Sequence, residues 1–460
     1  MRINDTIAAI STAPGVGGIG VIRVSGEDAV AIVDKVFRAA SKKQLVNETS
    51  HTIHYGHIIN KEDKVIDEVL VMLMKGPRTF TREDVVEINC HGGPVPLDAV
   101  LMEVLRQGAR LADQGEFTKR AFLNGRIDLA QVEAIMDIIE AKTEMSLEQA
   151  VNQLEGKLSK QIKKYQDTLI QIIARIEVSI DYPEYDEDEP VTQDYRVEID
   201  ALNKELKALL KTADTGKMIR DGVKTAIIGQ PNVGKSSLLN ALLEENKAIV
   251  TDIPGTTRDI VEAYLNIGGV PFLLLDTAGI RETEDVVEKI GVERSKQSIE
   301  EADLILMLID SSRDLDLEEL AIIKQLEDKQ VIFIRNKVDL TSIITEEILS
   351  THTKEASIIN ISAKEQQGLE NLKETMKHFV IGKGVTIEGH ATISNRRQKQ
   401  SLIKSIESLE KVMMTIDMGM PEDCIAIDLH DAYGHLGMIV GEALKDEIIN
   451  ELFSRFCLGK

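Results

Sequence analysis

Apolar residues recur along the chain with two different periods, and the change of period divides it. Over residues 1–118 short apolar runs dominate. Thr6 to Ser11, Gly20 to Val24, Thr52 to Ile59, Glu68 to Met74 and Val85 to Cys90 read as strands, while Asp28 to Phe37 and Pro96 to Arg106 carry helical spacing. This predicts a compact α/β or α+β domain. From Glu116 onward the spacing turns helical. Val151, Leu154, Leu158, Ile162, Tyr165, Leu169, Ile172 and Ile176 step by threes and fours, which predicts one stripe on a single long helix. Ile199, Leu202, Leu206 and Leu209 form a second stripe. Leu402, Ile406, Leu409, Met413 and Ile416 form a third, and Leu444, Ile448, Leu452 and Phe456 a last.

Between these helical blocks, residues 215–384 return to strand, turn and helix. Helical sequence on both sides of an α/β module predicts an insertion, because domains whose ends lie close together tolerate one. The expected fold class is multidomain α/β plus all-α. It comprises an N-terminal α/β domain (1–118), a helical bundle in two parts (119–214 and 385–460) and an inserted P-loop module (215–384). Motion in the module can then pass to the bundle.

The module carries the clearest chemistry. Gly229-Gln230-Pro231-Asn232-Val233-Gly234-Lys235-Ser236 follows the apolar run Val223 to Ile228 and opens a helix at Ser237. That order suits a phosphate cradle: glycines turn backbone N–H groups toward an anion, Lys235 reaches the β- and γ-phosphates, and the Ser236 hydroxyl ligates magnesium. Three further loops each follow a strand. Asp276-Thr277-Ala278-Gly279 follows Pro271 to Leu275, with a carboxylate for the magnesium shell and the Gly279 N–H for the γ-phosphate. Asn336-Lys337-Val338-Asp339 follows Val331 to Ile334, and Asp339 can accept from the N1–H and 2-amino group of guanine, a donor pair adenine lacks. Ser362-Ala363-Lys364 follows Ser357 to Ile361 and offers backbone to the guanine O6; alone it would read as a polar loop. Four such loops in order predict a guanine-nucleotide site.

Many such sites orient the attacking water with a glutamine just after Asp-Thr-Ala-Gly, and here that position is Ile280. The polar stretch after it offers Glu282, Glu284, Asp285 and Glu288, and no arginine finger can be assigned. Asn232 can set a side-chain oxygen beside the phosphates, where a monovalent cation supplies the missing charge. The carbonyls of Thr251-Asp252-Ile253-Pro254-Gly255-Thr256-Thr257 can complete its cage, and Thr257 can add a hydroxyl to magnesium.

Composition narrows the surroundings. At 43% hydrophobic residues the chain is globular, and no apolar run approaches the ~20 residues of a membrane span. The start, Met1-Arg2-Ile3-Asn4-Asp5, lacks a signal sequence, and Cys90, Cys424 and Cys457 stand at no metal spacing. A cytoplasmic protein is expected. The net charge of −23 argues against a general nucleic-acid coat. Lys157 to Lys164 and Arg396 to Lys399 are the candidate basic patches, more in keeping with solvated helix faces. The acidic stretch Asp181 to Pro190 reads as a solvated loop rather than a metal site. Gly15-Val16-Gly17-Gly18-Ile19-Gly20 fits the dinucleotide fingerprint, but a strand rather than a helix follows it, so the loop is read as a turn.

Gly229 to Ser236, Thr251 to Asp259, Asp276 to Gly279 and Asn336 to Asp339 resemble the translation-factor-related GTPases that include Era, EngA and MnmE (TrmE). Pro14 to Gly26, Phe80 to Glu87, His91 to Pro94, Gly115 to Arg126 and the ending Phe456-Cys457-Leu458-Gly459-Lys460 resemble the MnmE family, tRNA uridine-modification GTPases, over essentially the full length. The resemblance implies an N-terminal folate-binding and dimerisation domain and a Ras-like inserted G domain. It implies binding of 5-formyltetrahydrofolate or a related one-carbon folate at Arg23, Glu87, Arg126 and Lys460. It implies potassium at Asn232, Thr251, Ile253 and Thr256, magnesium at Ser236 and Thr257, and a water-orienting Glu288. With Asn232 and Lys235, Glu288 makes the expected catalytic set. GTP contacts are expected from Asn232, Val233, Gly234, Lys235, Ser236 and Ser237, from Thr251 to Thr257 (Asp252, Pro254 and Gly255 included), from Asp276, Thr277, Ala278 and Gly279, from Asn336, Lys337 and Asp339, and from Ser362, Ala363 and Lys364. G domains are expected to pair across a homodimer, with potassium in place of an arginine finger. The family acts with MnmG, an FAD- and NADH-dependent partner, on the wobble uridine of certain tRNAs, giving an aminomethyl or carboxymethylaminomethyl group at C5. Cys457 matches a cysteine needed for modification rather than hydrolysis. Pro254 and Leu458 depart from the commonest family pattern. The other reading is an Era- or EngA-like ribosome-associated switch, against which stand the absent G-x-x-G RNA module and the Phe-Cys-Leu-Gly-Lys ending.

Overall fold

The computed structural model describes residues 5–181, 192–245, 249–250, 263–275, 297–351, 353, 357–382, 391–442, 446–454, 456 and 459. The chain divides into two compact units, Met1–Met136 with Val440–Lys460, and Asp137–Ile439.

The first unit is built on a seven-stranded sheet. Its strands are β1 (Ile7–Ile10), β2 (Ile19–Ser25), β3 (Phe37–Ala39), β4 (Thr52–Ile59), β5 (Val65–Met74), β6 (Val85–His91) and β7 (Arg110–Leu111), in the order β3-β4-β5-β6-β2-β1-β7. All neighbours are antiparallel except β1 and β7. Alternation puts Ile22, Val24, Val71, Leu73, Val86 and Ile88 on one face, where α1 (Ala29–Val36) and α2 (Pro94–Arg106) bury them. The other face carries Arg23, Glu87, Met72, Leu70, Tyr55 and Ile53, aligned by register across four strands. α3 (Glu116–Leu123) covers its β1 end through Phe117, which packs with Ile7 and Ala9. At its β4 and β5 end Ile53, Tyr55 and Leu70 stay exposed. A strand does follow the glycine run 15–20, so the loop is a turn between strands.

Motif residues hold this unit together from inside. The Arg120 guanidinium is buried, with Asp5 Oδ1 at 2.5 Å, Glu116 Oε1 at 3.0 Å and Glu83 Oε1 at 3.2 Å. Glu116, also buried, takes a second cation from Arg110 at 2.6 Å and accepts from the Asp113 N–H. Glu83 accepts from Ser25, and Asn124 donates to the Thr81 carbonyl. A last cluster joins Ala121, Ile127 and, on α4 (Leu129–Glu140), Leu129 and Val132 to Ile449, Phe453 and Phe456 beyond residue 440. The Gly459 carbonyl accepts from Ser11 Oγ, one residue past β1, at 2.9 Å.

The second unit begins with helices, and here the structure corrects the sequence reading. The stripe from Val151 to Ile176 lies on two helices rather than one. α5 (Glu144–Leu154) ends at a turn in which Gly156 has φ of +80°, and α6 (Lys157–Asp181) starts anew. The left-handed residue breaks the hydrogen-bond ladder at a glycine, where it costs least. α7 (Thr192–Leu210) and α8 (Thr212–Asp221) follow, and α13 (Arg396–Asp417) packs along α7. α14 (Glu422–Val440) comes next in the chain. Ile199, Leu202, Leu206 and Leu209 are buried on α7, as are Leu402, Ile406 and Leu409 on α13, while Met413 and Ile416 are half-buried. On the last stripe Leu444 lies outside the described residues.

The unit's sheet has seven strands in the order β14-β13-β12-β8-β11-β10-β9. These are β8 (Val223–Ile228), β9 (Ile249–Val250), β10 (Ala263–Ile267), β11 (Val270–Leu274), β12 (Leu304–Asp310), β13 (Val331–Asn336) and β14 (Ser357–Asn360). The strands from β14 to β11 run parallel, so their carboxyl ends share one edge. All seven residues of β12 are buried, as expected for a central parallel strand. α9 (Lys235–Glu245), α10 (Leu317–Gln325), α11 (Glu346–Ser350) and α12 (Leu369–Ile381) complete the unit, and the sheet core continues into Ile219, Met145 and Met218 of the helices. α15 (Asp446–Phe453) belongs to the first unit.

The buried charge cluster predicts an acid sensitivity for the first unit. Burial pushes the carboxyls of Asp5 and Glu116 up, but the hydrogen bonds and charges of Arg110 and Arg120 outweigh it and hold both below the ordinary carboxylate range. Folded, they bind protons less readily than unfolded, so their stabilisation is complete above the ordinary carboxylate pKa of about 4 and drains as pH falls below it. Glu116→Ala leaves Arg120 buried with fewer partners, and should lower the opening free energy of α3 amides, read by hydrogen exchange, by about 3 kcal/mol. The variant should also lose stability less steeply than the parent on acidification.

Candidate nucleotide site and N-terminal cationic site

The carboxyl edge of the parallel strands gathers three of the four predicted loops. β8 leads into Gly229 (φ +148°), Asn232 (φ +63°) and Gly234 (φ +101°), a backbone that wraps rather than extends. A β-carbon on Gly234 would stand 2.2 Å from the Asn336 side-chain nitrogen, so that position needs glycine for space as well as for angle. Lys235 opens α9, and its ammonium turns back into the loop onto the carbonyls of Gly229 at 2.8 Å and Gln230 at 2.9 Å. Burial pushes its pKa down. A half-buried cation held by two carbonyls at a helix N-terminus is suited to a phosphate. Val233 is buried, while Ser236 and Ser237 are exposed on the first turn of α9.

Asn336, at the end of β13, is 2% exposed and binds two loops at once. Its Nδ2 donates to the Val233 carbonyl at 2.7 Å, and its Oδ1 accepts from the Ala363 N–H at 3.0 Å. Lys337 follows at φ +64°. Asp339 is exposed; the Ser362 hydrogen bond, aided by the charges of Lys364 and Lys337, holds its carboxyl below the ordinary range. It therefore stays ionised and acceptor-only, as a reader of two guanine donors must be. Lys364 extends into solvent near Glu365. Thr251, Asp252, Ile253, Pro254, Gly255, Thr256 and Thr257 lie outside the described residues, as do Asp276, Thr277, Ala278, Gly279, Ile280 and Glu288.

In the first unit, the structure brings together Arg23, Glu87 and Arg126. Arg23 and Glu87 face each other in register, with Nε and Nη2 of the arginine both 2.8 Å from Glu87 Oε1. Phe80 is close to both arginines, its ring centre 5.6 Å from the Arg23 guanidinium carbon and 5.0 Å from that of Arg126. Phe117 lies 5.7 Å from Arg23 on its own account. Phe80 and Phe117 were not singled out from sequence, although both stand inside matching stretches. Arg126 has no ion pair among the described residues, which leaves its charge free for an anion. Cys457 and Lys460 lie outside those residues. Of the other cysteines, Cys90 is buried and its thiol is pushed up to about 11 by burial, with the Asp67 charge adding to it. No group of three or more metal-ligating side chains occurs among the described residues, and no helix there is long and apolar enough to cross a membrane.

Comparison with known proteins places these sites in a family. Residues 6–126 match the model for the GTP-binding protein TrmE N-terminus, and residues 129–457 the model for the MnmE helical domain. The protein of Clostridioides difficile (strain 630) named tRNA modification GTPase MnmE is 47% identical over 460 residues, spanning all of both chains. The same-named protein of Alkaliphilus oremlandii is 50% identical over the whole of both chains. That of Bacillus subtilis (strain 168) is 48% identical over 99% of this chain and all of its own. Among solved structures, the G domain of the T. maritima FeoB iron transporter is 28% identical over 35% of this chain and 99% of its own, with a TM-score of 0.25, too low to add to the strand order above. With both family models matched and relatives aligned from end to end, the chain belongs to the MnmE (TrmE) family.

Proposed function

We propose that the protein is a potassium-activated GTP hydrolase that serves tRNA modification. The observation that carries the reading is the loop 229–236, with the Lys235 ammonium seated on its carbonyls and Asn336 fixing its Val233 carbonyl. The residues present suit the nucleotide. Lys235 would exchange two carbonyls for phosphate oxygens, the backbone N–H groups of Asn232 to Ser237 would surround the phosphates, and Asp339 would accept from the base. Ser362, Ala363 and Lys364 would close over it. Ser236 and Thr257 would hold magnesium, with Asp276 to Gly279 beside it. Potassium would sit on the Asn232 side-chain oxygen and on Thr251, Ile253 and Thr256, and would supply positive charge where charge develops. Glu288 would orient the water.

The N-terminal unit is proposed to bind a formyl-tetrahydrofolate, which supplies a one-carbon unit. Arg126, stacked on Phe80 and without an ion pair among the described residues, would take the glutamyl carboxylate. The Glu87 carboxylate, steadied by Arg23, would accept from pterin donors, with Lys460 adjacent to the Gly459 that is bonded to Ser11. The open sheet face bearing Ile53, Tyr55 and Leu70 supports dimerisation through this unit. The tRNA step, with the FAD-dependent partner MnmG at C5 of the wobble uridine and with Cys457, belongs to the same proposal, as do the division into domains at 118, 214 and 384 and a cytoplasmic location.

GTP turnover should be at least about tenfold faster in potassium than in sodium at equal ionic strength; equal rates would remove the cation from the mechanism. Glu288→Ala should slow turnover on the order of a hundredfold while GTP affinity stays within about twofold, read by single-turnover kinetics beside equilibrium binding. Arg126→Ala should weaken 5-formyltetrahydrofolate about tenfold or more in calorimetric titration, without altering nucleotide binding.

A further inference from the structure

One buried carboxylate beside the nucleotide loops has no part in the roles given so far. Asp310 is the last residue of β12 and pairs in register with Asn336 at the end of β13. It is 7% exposed. Its Oδ1 accepts from the Ser312 N–H at 3.0 Å and the Ser312 hydroxyl at 2.6 Å, and its Oδ2 accepts from the Lys337 ammonium at 2.6 Å. The same two strand ends are tied by the Ser311 N–H on the Asn336 carbonyl at 2.9 Å.

Lys337 needs such an anchor. Its φ of +64° is a left-handed conformation in a residue with a β-carbon, which costs free energy unless something holds it. Its carbonyl accepts from the Leu340 N–H at 3.0 Å, which closes a turn containing Asp339, and the Val338 N–H is fixed to the Ile361 carbonyl at 3.2 Å. The Asp339 carboxylate therefore hangs from a turn whose first residue is clamped by Asp310. The lysine side chain is about one-third exposed and the carboxylate one-tenth, so the clamp is partly buried, and it acts on the residue that opens the Asp339 turn.

We infer that Asp310 is a positioning residue for guanine recognition: by clamping Lys337 it sets the turn that aims Asp339 at the N1–H and 2-amino edge of the base. This rests on the guanine-nucleotide reading above. Base recognition is made equally in ground and transition states, so its loss raises KM and leaves kcat alone.

The test uses the full-length protein with GDP and with inosine diphosphate, which lacks the 2-amino group. The parent should prefer GDP. Asp310→Asn should weaken GDP about tenfold and inosine diphosphate less, so that their ratio moves toward one, while KM for GTP rises and kcat holds. Lys337→Met approaches the pair from its exposed side and should also move the ratio toward one; the double variant should be no worse than Lys337→Met alone, because that variant already removes the interaction. Unchanged GDP preference in both single variants, or a fall in kcat with KM unchanged, would overturn the inference. A parent chain without any preference between the two nucleotides would instead defeat the nucleotide reading itself.

Discussion

One side-chain amide sets the geometry of the nucleotide site. Asn336 gives its donor to the Val233 carbonyl and its acceptor to the Ala363 N–H, so three loops from three strands are joined by two bonds from one buried group. A carboxylate in its place would face the Val233 carbonyl with no proton to give, and an ammonium would meet the Ala363 N–H with no lone pair. The parallel order β14-β13-β12-β8 makes the arrangement possible, because it delivers the ends of these strands to the same edge. Gly234 is fixed by the same constraint, since any β-carbon there would collide with the amide. The three loops are thus tied together by Asn336, and under the proposed function that tie reduces the ordering nucleotide binding requires.

The N-terminal unit divides its charges between scaffold and surface. Buried Arg120 is ringed by Glu116, Glu83 and Asp5, with Arg110 a second cation on Glu116 and Asp5, and a partner's removal would strand a buried charge. Arg23, Glu87 and Arg126 lie by contrast near Phe80 on the sheet face that α3 partly covers, with Arg126 exposed. Glu83 and Glu87 come from the stretch Phe80 to Glu87, and Glu116, Arg120 and Arg126 from Gly115 to Arg126. Asn124 binds those stretches to each other through Thr81 and Arg82, which holds Arg126 near Phe80.

Much of this was legible in the sequence where period and punctuation agree. β4 and β8 have the bounds that alternation and apolar runs predicted, and β6 and the two sheet-covering helices fall within a residue or two. The loop 229–236 and the strand before it were unmistakable because glycine, lysine and serine at those places have few other uses. What was lost lies where periodicity is blind. The α5–α6 break preserves the apolar stripe on both sides, and only the angle of Gly156 reveals two helices. β12 is an uninterrupted apolar run, which spacing alone does not separate from a buried helix. β3 and β7 are too short to show alternation. Arg23 and Glu87 are 64 residues apart, and their pairing depends on a strand register that no local pattern contains.

The net charge of −23 constrains how a polyanion can meet this surface. The two basic stretches seen in the sequence are not bare cationic stripes once folded. Lys163 and Lys164 lie at 3.6 Å and 3.3 Å from Asp167 and Glu205, and Lys399 at 2.6 Å from Asp214. Arg397 spends its guanidinium on the carbonyls of Met438 and Ile439, closing the end of α14. A phosphate backbone reaching these lysines must first displace a carboxylate, and the counterions it releases are correspondingly fewer. These helix faces therefore present paired rather than free cations to a polyanion at the lysines and arginine named.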